Sequence, residues 1–166
     1  MLLGNSQVYC WGDNQQGEVG NGTADFNDVL TPTGVIGLNG RVIQIAVGGS
    51  HTCALMASGG VKCWGSDDNG QLGNVAPNGF DGISPTPLDV TDLGSGVTQI
   101  TAGYTHTCAV MANGGVKCWG FNAYGQLGDS TATSKSTPVD VIGLSGVAQI
   151  TAGWGHTCAV TVSGGA

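Results

Sequence analysis

The 166-residue sequence predicts an all-β protein made of β-propeller blades, three repeats per chain and open at both ends. Three observations carry that expectation. Glycine supplies 31 residues, roughly 19% of the chain against a usual level of about 7%. Each glycine inside a helix costs about 1 kcal/mol, and here one recurs every few residues, so a helical fold is disfavoured. The second observation is a repeat: Cys-Trp-Gly stands at 10–12, 63–65 and 118–120, and His-Thr-Cys at 51–53, 106–108 and 156–158. Periods of roughly 50 residues holding several short strands each point to propeller blades. The third is that the chain starts and stops within the same element. Cys10 belongs to a Cys-Trp-Gly half with no His-Thr-Cys half before it, and Cys158 to the opposite half.

Composition narrows the function classes. Hydrophobic residues make up 40% and the mean hydropathy is +0.12, too apolar for a disordered acidic segment. The glycines lack the three-residue period of collagen. Net charge is −7, and the four basic residues Arg41, Lys62, Lys117 and Lys135 are scattered singly, so nucleic acid is not an expected partner. No apolar run approaches the roughly 20 residues of a membrane-spanning helix, so membrane insertion is not expected either. The start, Met1-Leu2-Leu3-Gly4-Asn5, lacks the basic and long apolar regions of a signal peptide. Export would then require a leader already removed, or another route.

Each unit reads in the same order. Val42–Val47, Val97–Ala102 and Val147–Ala152 are alternating, β-branched strand runs. The His-Thr-Cys strand follows, then a small turn at Ser58-Gly59-Gly60 or Asn113-Gly114-Gly115. Val-Lys-Cys-Trp-Gly completes a β-hairpin. Asn69-Gly70-Gln71-Leu72-Gly73 and Tyr124-Gly125-Gln126-Leu127-Gly128 read as glycine-pinned loops. A proline (Pro32, Pro87, Pro138) precedes the next strand run. The proline-to-histidine interval is nearly constant and the tryptophan-to-proline interval varies, which places one elastic loop in each repeat. The repeats span approximately 7–58, 59–113 and 114–166 of a single, partial propeller domain.

The string GxxHTCAxxxxGGVKCWGxNxxGQLG resembles the repeat of the regulator-of-chromosome-condensation family, over nearly the whole chain from about Gln7. That resemblance implies a β-propeller, usually of seven blades, of which this chain holds three repeats' worth. The cysteine-bearing form of the motif looks like the bacterial, exported branch of the family. The founding eukaryotic member is known for nucleotide exchange and chromatin binding. Function transfers less well than fold, and exchange activity is not expected here.

The cysteines are read from the hairpin register. Centred on Ser58, the turn sets Cys53 opposite Cys63 and Leu55 opposite Val61, and Cys108 faces Cys118 around Asn113 in the same way. Facing cysteines lie in or near disulfide range, so both pairs are expected to be bridged. Bridged cysteines imply an oxidising, extracellular or cell-surface location. A zinc site built on His51, Cys53 and Cys63 lacks a fourth ligand and departs from the short spacing of structural zinc sites. Cys10 and Cys158 are left over. Either they pair between copies, giving a head-to-tail homo-oligomer or filament, or they pair with missing repeats of a longer protein.

No catalytic set is legible and no cofactor or metal is implied. The three histidines recur at one position per repeat, as structural residues do, and so do Trp11, Trp64 and Trp119, read as core. Asp67-Asp68-Asn69-Gly70 lacks the acidic ladder of a calcium loop. Where the repeats differ, binding residues are expected. Gly49, Tyr104 and Trp154 occupy one equivalent position before the histidine strand. Phe121 and Tyr124 follow the third Cys-Trp-Gly, and the longest elastic loop carries Phe80 and Asp81. Tyr and Trp on loops are typical anchors for partners. The sequence therefore suggests a non-enzymatic module that presents these loops to a protein or glycan, with a self-assembling structural protein as the alternative. Whether these residues share one face is left to the structure.

Overall fold

The computed structural model describes residues 7–74 and 82–162, and they form strands joined by turns and loops. Strands β1 (Tyr9–Gly12) and β2 (Val29–Gly34) pair as a two-stranded sheet. A four-stranded sheet follows: β3 (Val42–Val47), β4 (His51–Met56), β5 (Val61–Ser66) and β6 (Ile83–Asp89). The second such sheet holds β7 (Val97–Ala102), β8 (His106–Met111), β9 (Val116–Gly120) and β10 (Lys135–Asp140). Strands β11 (Val147–Ala152) and β12 (Thr157–Thr161) form a second two-stranded sheet. Every pairing joins strands adjacent in sequence and antiparallel, so each four-stranded sheet is a meander of the propeller-blade type. Among the described residues no helix is long and apolar enough to cross a membrane.

The fourth strand of each blade was not legible as a strand. Pro32, Pro87 and Pro138 fall inside β2, β6 and β10, where no strand was expected, and proline cannot donate to a ladder. The structure resolves the conflict by position. These strands pair on one side only, and their register against β1, β5 and β9 is broken by a shift.

The hairpin register is as the turn arithmetic requires. Cys53 pairs with Cys63 and Leu55 with Val61; Cys108 pairs with Cys118 and Val110 with Val116. Disulfides join both cysteine pairs, and all four residues are buried. They lie within apolar clusters that cement one sheet to the next. One such cluster joins Leu55, Val61 and Leu72 to Val97, Ile100 and Trp119 of the following blade. Side-chain amides add rungs between the inner strands. Gln44 donates to the carbonyl of Ile100 at 2.8 Å and accepts from its N–H at 2.9 Å, and Gln99 accepts from the Ile150 N–H at 3.0 Å.

The tryptophans divide in two. Trp64 and Trp119 are 0% exposed, and their indole N–H groups donate to the carbonyls of Glu18 and Gln71 at 2.8 and 2.9 Å. Each acceptor belongs to the loop of the preceding repeat, so the loop of one blade latches the next. The latch explains the final glycine of the Gly-Gln-Leu-Gly string. Gly73 has φ +72°, and a Cβ there would sit 2.6 Å from the Trp119 indole nitrogen. Trp11, expected in the core, is instead 62% exposed. No loop precedes it among the described residues to cover its ring, and β1 pairs only with β2.

Candidate binding face

The loop after each Cys-Trp-Gly is held by one side chain at a fixed place. The side-chain oxygens Oδ1 of Asn14, Asp67 and Asn122 accept from the N–H groups of Val19, Leu72 and Leu127 at 3.1, 2.8 and 3.0 Å. Asp67 thus serves the turn, and it is buried where a solvated turn was expected. A second constant network links the blades. Thr107 Oγ1 donates to the Gln71 carbonyl at 3.0 Å, so it accepts from His51 Nε2 at 2.9 Å. His106 meets Thr157 in the same way, and Thr157 donates to the Gln126 carbonyl. Both histidines therefore carry a proton on Nε2. Burial, reinforced by the neighbouring histidine, holds His51 down to about 3 and His106 to about 4. His156 is exposed. With Cys53 and Cys63 bonded to each other and His51 turned to Thr107, the three candidate zinc ligands are committed elsewhere.

On this frame the variable aromatics converge. Gly49, Tyr104 and Trp154 lie in the β3–β4, β7–β8 and β11–β12 loops. The Gly49 N–H donates to the Tyr104 carbonyl at 3.0 Å, and a Cβ on Gly49 would meet the Tyr104 ring at 2.5 Å. The absent side chain lets the tyrosine lie across the neighbouring blade. Trp154 stacks on Tyr104 with ring centroids 5.8 Å apart and planes 28° from parallel. Tyr124, from the β9–β10 loop, reaches Trp154 at 5.9 Å and meets Phe121 edge-on at 5.9 Å. Half or more of each of Tyr104, Tyr124 and Trp154 remains in solvent. A cavity of about 220 Å³ opens among the four rings, with Asn69, Thr105 and Gln126 completing its wall.

The structure thus gathers Tyr104, Phe121, Tyr124 and Trp154 in one place. Phe80 and Asp81 lie outside the described residues. Cys10 is half-buried against the apolar cluster of Val35, Val42, Ala54, Met56 and Trp64, and Cys158 is exposed on β12; neither is bonded. Burial pushes the Cys10 thiol up from its ordinary value. Asn69 stands where Tyr124 stands in the third repeat, a position at which the repeats differ, and drew no binding expectation of its own; Gln126 belongs to the repeated Gly-Gln-Leu-Gly string and reads as frame. The signal that marks them lies in what their neighbours became.

Comparison with known proteins follows the repeat. The family model described as "Regulator of chromosome condensation (RCC1) repeat" matches residues 5–55, 58–110 and 113–160. The ultraviolet-B receptor UVR8 of Arabidopsis thaliana is 35% identical over 133 residues, 80% of this chain and 29% of the receptor. The human probable E3 ubiquitin-protein ligase HERC4 is 36% identical over 140 residues, 84% of this chain and 13% of the ligase. Mouse RCC1 domain-containing protein 1 is 30% identical, over 83% of this chain and 45% of that protein. Among solved structures, Saccharomyces cerevisiae Prp20p, described for its binding to Gsp1p and histones, superposes with a TM-score of 0.80 at 21% identity. It covers 96% of this chain and 41% of Prp20p. Human WBSCR16 superposes with a TM-score of 0.81 at 24% identity, with the same coverage. At these identities the structural likeness shows the fold, and the chain spans less than half the length of each of these relatives. Repeat by repeat and blade by blade, this chain belongs to the regulator of chromosome condensation repeat family.

Proposed function

We propose that this chain is a non-enzymatic, exported binding module whose aromatic face takes a protein or glycan partner. One observation carries the reading. The four aromatic residues that depart from the repeat frame converge on one cavity although they come from three separate loops, and Tyr104, Tyr124 and Trp154 keep half or more of their surface in solvent. Exposed Tyr and Trp clusters of this kind supply rigid contact area at little entropic cost. A disulfide in each complete blade supports a location in an oxidising compartment. The constant positions, by contrast, are occupied in holding the blades. The test is binding of the wild type and a Tyr104→Ala, Trp154→Ala double variant to immobilised glycan and protein arrays, with the melting temperature measured in parallel. Loss of the wild-type ligands with the melt preserved supports the module. Retention of every ligand overturns it.

A second reading is favoured by the two unbonded cysteines. Cys10 on β1 and Cys158 on β12 are the equivalents of Cys63 and Cys53, which bond within a complete hairpin. Placed side by side, β12 of one copy and β1 of the next would rebuild that hairpin as a head-to-tail contact; further repeats of a longer chain would do the same. Native mass spectrometry without reductant distinguishes the cases. A multiple of 16.5 kDa with every thiol oxidised supports self-association, and a single mass with two free thiols excludes it.

A further inference from the structure

The loops after the second and third Cys-Trp-Gly share one backbone arrangement and differ in how a buried amide is satisfied. In the second, Gln71 Oε1 accepts from the Asn69 N–H at 2.9 Å, and its Nε2 donates to Ser66 Oγ at 3.0 Å. In the third, Gln126 Oε1 accepts from the Tyr124 N–H at 3.0 Å, which fixes the amide the same way round. Among the described residues its Nε2 has no hydrogen-bond partner, although Gln126 is only 5% exposed. The reason is a single position. Phe121 stands where Ser66 stands in the second loop, and a phenyl ring offers no acceptor of that strength. A buried donor left unsatisfied is destabilising, so the third repeat gives up stability at this point. Gln126 and Phe121 both line the cavity under the aromatic cluster.

Resting on the binding-module reading, we infer that this cavity is a saccharide site, in which a neutral sugar ring stacks on Trp154 and Tyr124 and supplies the acceptor missing at Gln126 Nε2. The wall chemistry selects the class of ligand. The residues lining it carry no formal charge, which disfavours a cationic or anionic ligand. The rings touch one another at centroid distances of 5.8 and 5.9 Å, so they form a platform and not a cage open to an inserted ammonium group. A volume of about 220 Å³ lies below the ~300–1,000 Å³ usual for drug-sized ligands and suits one ring. A sugar ring offers an apolar C–H face to an aromatic plane and hydroxyl oxygens at its rim. The wall here holds Asn69 and Thr105, together with the buried Gln126 side chain.

The decisive variant is Phe121→Ser, which recreates the second loop's arrangement and gives Gln126 an internal acceptor. Methyl glycosides of glucose, galactose, mannose and N-acetylglucosamine, and their β-linked disaccharides, are titrated against wild type, Phe121→Ser and Trp154→Ala. The readouts are tryptophan fluorescence and the side-chain amide resonances of 15N-labelled protein. Saturable binding that shifts the Gln126 side-chain amide is expected in the wild type. Phe121→Ser should weaken it roughly tenfold while the melting temperature holds or rises, the size of one lost hydrogen bond and part of a stacking wall. Equal binding by Phe121→Ser and wild type overturns the role of the Gln126 amide, and with it this inference. Failure of every glycoside, with binding of a neutral proline-rich peptide that Trp154→Ala abolishes, overturns the saccharide site and leaves the module standing. Failure of glycosides and peptide alike, together with array binding unaffected at Tyr104 and Trp154, overturns both.

Discussion

The two complete blades and the two half-blades carry the same repeat and give it different fates. Trp64 and Trp119 are sealed beneath the loop of the preceding repeat, and Trp11 is open to solvent. His51 and His106 are buried and bonded to the next blade's threonine, and His156 is exposed. Cys53 and Cys108 are bridged, and their equivalent Cys158 is free. Identical residues are thus core or surface according to whether a neighbouring blade lies against them. In a repeat architecture most burial belongs to the interface between units and not to the unit.

That difference predicts unequal responses to equal substitutions. Trp119→Ala removes a fully buried ring and its hydrogen bond to Gln71 and should cost about 3–5 kcal/mol, whereas Trp11→Ala should stay within about 1 kcal/mol. Urea unfolding of the two variants measures both, and similar losses would refute the interface account. Acid should reach the complete blades through their histidines. An unfolded chain titrates histidine near pH 6.5. The folded chain holds His51 to about 3 and His106 to about 4, so below pH 6.5 the unfolded state binds more protons. Stability should therefore fall as pH drops from about 6.5 towards 4, by up to ~1.4 kcal/mol per pH unit for each of these histidines. His51→Gln should lower that slope by one proton's worth, whatever it does to the absolute stability.

Reduction tests the covalent part of the contrast. Cys108→Ser with Cys118→Ser opens a bridge of sequence separation 10, and loop-closure entropy puts the loss at about 2–3 kcal/mol. Cys158→Ser, on an exposed and unbonded residue, should leave the melt unchanged unless copies pair through it. A drop for Cys158→Ser that scales with protein concentration would sharpen the comparison by showing an end filled by a second molecule. The smallest effect is expected at the paired surface charges. Lys62 meets Asp89 at 2.6 Å and Lys117 meets Asp140 at 2.7 Å, both with an exposed carboxylate. Lys62→Ala and Lys117→Ala should each change stability by no more than about 0.5–1 kcal/mol and the response should fade with added salt.

Local chemistry repeated three times made much of this protein readable. Glycine frequency disfavoured a helical fold, the turn fixed the register that faces Cys53 with Cys63, and correlated motifs gave the repeat and the family resemblance. These features depend on near neighbours in sequence, where spacing is geometry. The proline strands were missed because proline is tolerated at the outer edge of a sheet, and only the assembled sheet shows which strand is outer. Trp11 was misplaced because its cover must come from another repeat. The candidate site needed still longer reach. Tyr104, Tyr124 and Trp154 declared themselves individually as departures from the frame, but their convergence depends on how adjacent blades stack about the inner strands. Gln126 looked identical to Gln71 in its motif and differed only through Phe121. The sequence by itself determined the units, and the tertiary structure decided which faces of them met, because inter-blade packing joins residues about 50 positions apart that no local spacing relates.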